Sequence, residues 1–147
     1  MKKIWMLGAL VIAFAAGFQL RGVVPGEPVA YAQASGRVFE LRTYTAVDAE
    51  KLAALHARFK NHTLRLFEKH GMQNVGYWKP MDAPASGTTM IYVVAHRSRE
   101  AAKQSWSAFL KDPEWTKVST ESEANGRILA KAPESVYMEA ADYSPMK

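Results

Sequence analysis

The chain is 147 residues long, 48% apolar and 11% aromatic, with a formal charge of +5 and no cysteine. That length fits one domain around one core, and the composition excludes general disorder. The missing cysteine removes disulfides, thiolate nucleophiles, cysteine zinc sites and lipoprotein acylation together, while the basic residues are interspersed with acidic ones and form no run suited to nucleic acid.

Lys2 and Lys3 precede residues 4–18, IWMLGALVIAFAAGF, an uncharged apolar run with the length of a signal-peptide core and just short of a membrane span. Two small-x-small patterns, Ala30-Tyr31-Ala32 and Ala32-Gln33-Ala34, fit signal-peptidase sites. Residues 1–34 therefore read as a signal peptide or an uncleaved N-terminal anchor. Either places residues 35–147 outside the cytoplasm, periplasmic or extracellular, with membrane attachment only through that anchor. The leader carries Lys2, Lys3 and Arg21 against Glu27, a net +2, so the remainder keeps a mild excess of +3.

The folded part begins near Arg37. VFELRTYT, residues 38–45, alternates as a strand, with Phe39, Leu41 and Thr43 on one face and Glu40, Arg42 and Tyr44 on the other. Over residues 48–70 the period changes: Leu52, Leu55, Phe59 and Leu66 share a narrow arc, Asp48 and Glu50 occupy the first turn, and Gly71 caps the end, which predicts one long amphipathic helix. NVGYWKPM, residues 74–81, reads as a second strand ended by Pro80, and APASGT as a loop. Met90 to Ala95 form a short apolar run, a strand covered on both faces. Ser98 then caps a helix whose Ala102, Trp106 and Phe109 stripe returns to the sheet, and Asp112-Pro113 starts a shorter helix reaching Asn125 and stopped by Gly126. SVYMEA, residues 135–140, is the last strand, followed by a tail.

This order predicts an α+β, ferredoxin-like βαββαβ fold with an extra short helix before the last strand. A four-stranded sheet with helices on one side leaves its other face bare. Both faces of the third strand are apolar, and the second strand sends Tyr77 and Trp78 to opposite sides, so the bare face is too hydrophobic for water. A second copy covering it makes a two-fold homodimer, a dimeric α/β barrel.

Three segments carry a resemblance: FELRTYT, LHARFKNHTLRLFEKHGMQNVGYW (residues 55–78) and above all AHRSREAAKQSWSAFLKDPEW (residues 95–115). With them the chain resembles the NIPSNAP family of the dimeric α/β-barrel superfamily over residues 38–145, essentially the whole domain after the leader. The resemblance implies a ferredoxin-like fold and a dimer built sheet against sheet, and implies little about chemistry. Related families of that superfamily include cofactor-free monooxygenases and haem-degrading enzymes, a fold-level analogy.

Chemistry is sought first at the four histidines, His56, His62, His70 and His96. No HxH, HExxH or facial His-carboxylate pattern appears, and His56 and His62 stand about 120° apart on the helix, so no metal site is expected. His62 falls on the stripe of Leu55, Phe59 and Leu66, where it reads either as an edge-of-core histidine or as a base, haem ligand or cavity hydrogen-bonder. His70 suits a helix C-terminus and His96 a turn. The aromatics Tyr44, Tyr77, Trp78, Tyr92, Trp106, Phe109 and Trp115 read as core, or as a flat wall for a quinone, polyketide-like ring or porphyrin if the gap between sheet and helices is open. Glu40 and Arg42 read as an exposed strand pair, with polar-substrate binding as the alternative. The candidate ligand-pocket set is therefore His62, Tyr44, Tyr77, Trp78, Tyr92, His96 and Trp106. No catalytic residue is assigned. The expected function is a partner-binding or small apolar ligand-binding dimer without a required cofactor. The alternative is a cofactor-free monooxygenase or haem-handling enzyme built on His62.

Overall fold

Four antiparallel strands in the order β2-β3-β1-β4 form the sheet of this computed structural model, which describes residues 36–147. The apolar leader, both cleavage patterns and the boundary at residues 34 and 35 lie outside the described residues. β1 (Val38–Thr45) is central, pairing from Val38↔His96 to Thr45↔Thr89 with β3 (Thr89–His96) on one side, and from Val38↔Glu139 to Thr43↔Glu134 with β4 (Glu134–Glu139) on the other. β2 (Gln73–Trp78) closes the far edge on β3. Because strand side chains alternate, one register decides both faces of the whole sheet. Glu40, Arg42 and Tyr44 share the inner face with Tyr92, Val94 and His96, while Phe39, Leu41 and Thr43 share the outer face with Ile91, Val93 and Ala95.

The inner face packs against helices built as the pattern predicts. Asp48 caps α1 (Ala49–Arg58) by accepting from the Lys51 amide at 2.8 Å, and Ser98 caps α3 (Arg99–Leu110) by accepting from Ala101 at 3.0 Å. Leu52, Leu55, Phe59, Leu66, Phe67 and Phe109 form one core cluster with Tyr44, Tyr92 and Val94. Each fully buried leucine there contributes about 1.5–3 kcal/mol. α2 (Leu64–Lys69) ends in a Schellman turn: Gly71, at φ +77°, donates to Glu68 O at 3.0 Å, and Met72 donates to Phe67 O at 2.9 Å. Asp112 caps α4 (Pro113–Ser122) at the Glu114 amide and also accepts from Lys69 Nζ at 2.7 Å, with His70 Nε2 at the same distance, so one carboxylate joins the end of α2 to the start of α4. Those hydrogen bonds hold its pKa well below the ordinary carboxylate range.

The largest departures from expectation are in the first helix, β2 and α4; β3 and β4 differ by one residue at each end. The long helix is continuous but not regular: Phe59–Thr63 is a π turn between α1 and α2. Its wider winding rotates everything after Phe59, so Thr63 turns inward and His62 outward. β2 stops at Trp78 rather than residue 81, and a bulge between Asn74 and Gly76 leaves Val75 unpaired on the outer side. α4 ends at Ser122, three residues early.

The outer face carries no helix. Leu41, Thr43, Ile91 and Val93 are half-buried, and Val136 and Trp78 are 56% and 52% exposed. The Trp78 ring lies over Gly76, where an added Cβ would come within 2.5 Å of it. Residues 140, 141 and 143–146 border one end of this face, where they line an open pocket together with Phe39, Val75 and Val93. Among the described residues no helix is long and apolar enough to cross a membrane.

Candidate functional site

Glu40 stands on the inner face of β1, 1% exposed, with its carboxylate shared by four donors. Oε2 accepts from Trp106 Nε1 at 2.6 Å and from His96 Nε2 at 3.0 Å, while Oε1 accepts from Arg42 at 2.8 Å and Ser135 Oγ at 2.6 Å. The register makes this cluster possible: His96 on β3 and Ser135 on β4 flank β1, and α3 lowers Trp106 onto it. Burial pushes the Glu40 pKa up, but the hydrogen bonds from His96, Ser135, Trp106 and Arg42 outweigh it and bring it from 4.5 down to about 2. An ionised carboxylate is thus locked between the sheet's inner face and α3. With Nε2 donating to Glu40, His96 Nδ1 is buried and has no partner.

In front of that carboxylate lies a cavity of about 420 Å³ between sheet and helices. Arg42 and Tyr44 from β1 form its floor; Phe59 and Thr63 line it from the two ends of the π turn; Phe67, Trp106, Phe109 and Trp115 supply aromatic walls. Leu110, Ser119, Glu123 and Pro133 surround the more open side. The rings interlock edge to face: Phe67–Phe109 centroids are 5.0 Å apart, Phe67–Trp106 5.3 Å and Tyr44–Phe59 5.9 Å. Beneath the floor the Tyr92 hydroxyl bonds to that of Tyr44 at 3.0 Å, and Tyr77 stacks on Tyr92.

Two arginines enter this apolar space. The Arg42 guanidinium lies 4.4 Å from the Trp106 ring centre, and that of Arg58, at the end of α1, lies 5.2 Å from Trp115. Burial works against the charge on both. For Arg42 the Tyr44 and Tyr92 hydroxyls and the Glu40 carboxylate more than compensate and raise its pKa; for Arg58 burial prevails over Glu123 and lowers it. Arginine stays protonated in either case.

Of the sequence candidates, Tyr44 and Trp106 line the cavity, and Tyr92 supports Tyr44 from below. Tyr77 belongs to the packed layer behind Tyr92, and its hydroxyl bonds to Asn74. Trp78 lies on the opposite face of the sheet, and His96 is held by Glu40. His62 does not sit on the sheet-facing stripe: it is exposed in a shallow groove between α1 and α4, because the π turn breaks the 3.6-residue period that placed it inside. Glu40 and Arg42 are not an exposed strand pair either, since α3 covers them. Pattern reading missed Arg58, Thr63 and Phe67 as lining residues. The helical period gave no signal for Arg58, which falls outside the arc of Leu52, Leu55, Phe59 and Leu66.

The lining residues include no histidine, cysteine or methionine, and the Tyr44 hydroxyl is engaged by Tyr92, so they do not fit the ligation of haem iron. Among the described residues no group of three or more His, Cys, Asp or Glu is placed to hold a metal ion.

A ferredoxin-like α+β domain with an aromatic, arginine-bearing cavity between sheet and helices is the class these features define. The NIPSNAP family model matches residues 39–145, and the chain belongs to the NIPSNAP family. It is similar in structure to a NIPSNAP family protein of unknown function from Agrobacterium tumefaciens, at 18% identity and TM-score 0.64, covering 77% of this chain and 96% of that one. It is also similar to a NIPSNAP-like domain protein from Burkholderia xenovorans, at 14% identity and TM-score 0.64, covering 76% and 90%. A more distant fold relative is a Streptomyces coelicolor monooxygenase solved with nanaomycin D, at 12% identity and TM-score 0.51, covering 77% and 95%. No curated protein matched the sequence.

Proposed function

We propose that this protein is an exported homodimer that binds a small, flat, largely apolar ligand in the cavity between sheet and helices. The observation that carries this reading is the cavity itself. Its volume of about 420 Å³ falls within the ~300–1,000 Å³ usual for small-molecule sites, and its walls are aromatic with a few converging polar groups. Export is supported by the apolar N-terminal run, and dimerisation by the uncovered apolar face of the sheet.

The enzymatic alternative built on His62 loses its proposed base, because that ring is exposed outside the cavity. The resemblance to a monooxygenase is one of fold, and fold alone assigns no reaction.

Calorimetric titration with 2-naphthamide, a neutral two-ring probe, tests the binding reading. The protein is expected to bind it, and Thr63→Phe, which places a ring inside the cavity, is expected to abolish binding while leaving the circular dichroism spectrum intact. Equal binding by a folded Thr63→Phe variant would locate the probe elsewhere and end this reading.

A further inference from the structure

Building on the cavity as a ligand site, we infer that its ligand carries an oxyanion, a carboxylate or ionised enol conjugated to the flat ring, and that Arg42 and Arg58 recognise it together. A guanidinium has five N–H donors in one plane. Arg42 uses one firmly, on Glu40 at 2.8 Å, and has a long 3.5 Å contact to the Tyr44 hydroxyl; Arg58 reaches Ser122 Oγ at 3.2 Å and a Glu123 oxygen at 3.6 Å. The Nε atoms of both are buried without any partner. Two arginines lining one cavity, with Arg58 only 7% exposed and its acceptors no nearer than 3.2 Å, are a costly arrangement unless something else supplies further acceptors.

The protein itself supplies them only in part. Glu40 stands behind Arg42 with its oxygens already shared among four donors, and Glu123 is an exposed residue. The two stacking contacts, on Trp106 and Trp115, occupy the guanidinium faces and leave the donor-bearing edges for other contacts. A neutral carbonyl brings no charge to either guanidinium, and a cation would be repelled by both. A carboxylate or enolate matches the donors in charge and in number of lone pairs, while Phe59, Phe67 and Phe109 take the ring.

A matched pair of probes separates this inference from the reading beneath it. 2-Naphthoate is expected to bind tighter than 2-naphthamide by about tenfold or more, as charge-assisted hydrogen bonds require. Arg58→Gln is expected to remove most of that preference, and Arg58→Lys, which keeps the charge but not the fork, to remove only part; thermal melts of each variant verify folding. If both probes bind equally well, or if folded Arg58→Gln and Arg42→Lys variants keep the full preference, the oxyanion inference is wrong while the cavity reading survives. Binding of neither probe would overturn both.

Discussion

Glu40 is ionised at a depth where burial alone would favour the neutral acid, and the reason is local: four donors converge on two oxygens. Because its pKa is lower in the folded chain than in the unfolded one, the group stabilises the fold fully above the ordinary value of 4.5, and that stabilisation drains away as the pH falls toward about 2. The difference in urea stability between wild type and Glu40→Gln should accordingly be largest above pH 4.5 and shrink toward pH 2. Asp112, also depressed, titrates in both proteins and cancels from the comparison. A difference that stays flat with pH would mean that the Glu40 pKa is the same in the folded and unfolded chain, and that the four donors do not favour its ionised form. In the sequence, Glu40 and Arg42 were visible as neighbours on one strand face. Their burial was not, since it depends on Trp106, sixty-six residues away, arriving over them.

At the scale of elements, the caps and periodicities were legible because they are local chemistry. Asp48, Ser98 and Asp112 each accept the amide hydrogen bond expected of an N-cap, and Gly71 takes the left-handed conformation expected of a C-terminal glycine. Gly71→Ala should therefore cost roughly 1–2 kcal/mol in urea unfolding, the strain of a Cβ at positive φ. An unchanged midpoint would show that the Schellman turn contributes little. The π turn was not legible. Nothing in FKNHT departs from ordinary helix composition, and whether one turn winds wider is settled by which side chain the core accepts. Its effect is large for its size, because it exchanges a histidine for Thr63 beside the cavity and so removes the one titratable base the regular period would have placed there.

For the whole molecule, the apolar outer face is the feature that asks for a partner. Val136 and Trp78 remain more than half exposed, and Leu41, Ile91 and Val93 lie beside them half-covered. A second copy laid face to face would bury that surface symmetrically. Sedimentation velocity at micromolar concentration should show a dimer, and Val136→Lys, a charge on an exposed edge-strand position, should shift it to monomer with secondary structure unchanged. Wild-type protein that sediments only as a monomer would remove the dimer from the proposed function.

Taken by itself, the sequence determined the order of strands and helices, the two-faced hydrophobicity of the sheet and the family, because these follow from side-chain period, turn chemistry and long contiguous motifs. Only the tertiary structure decided which polar residues are interior. Arg42 and Arg58 come from different elements and meet only when the sheet and helices close around one space, so no spacing along the chain could reveal that they line the same cavity.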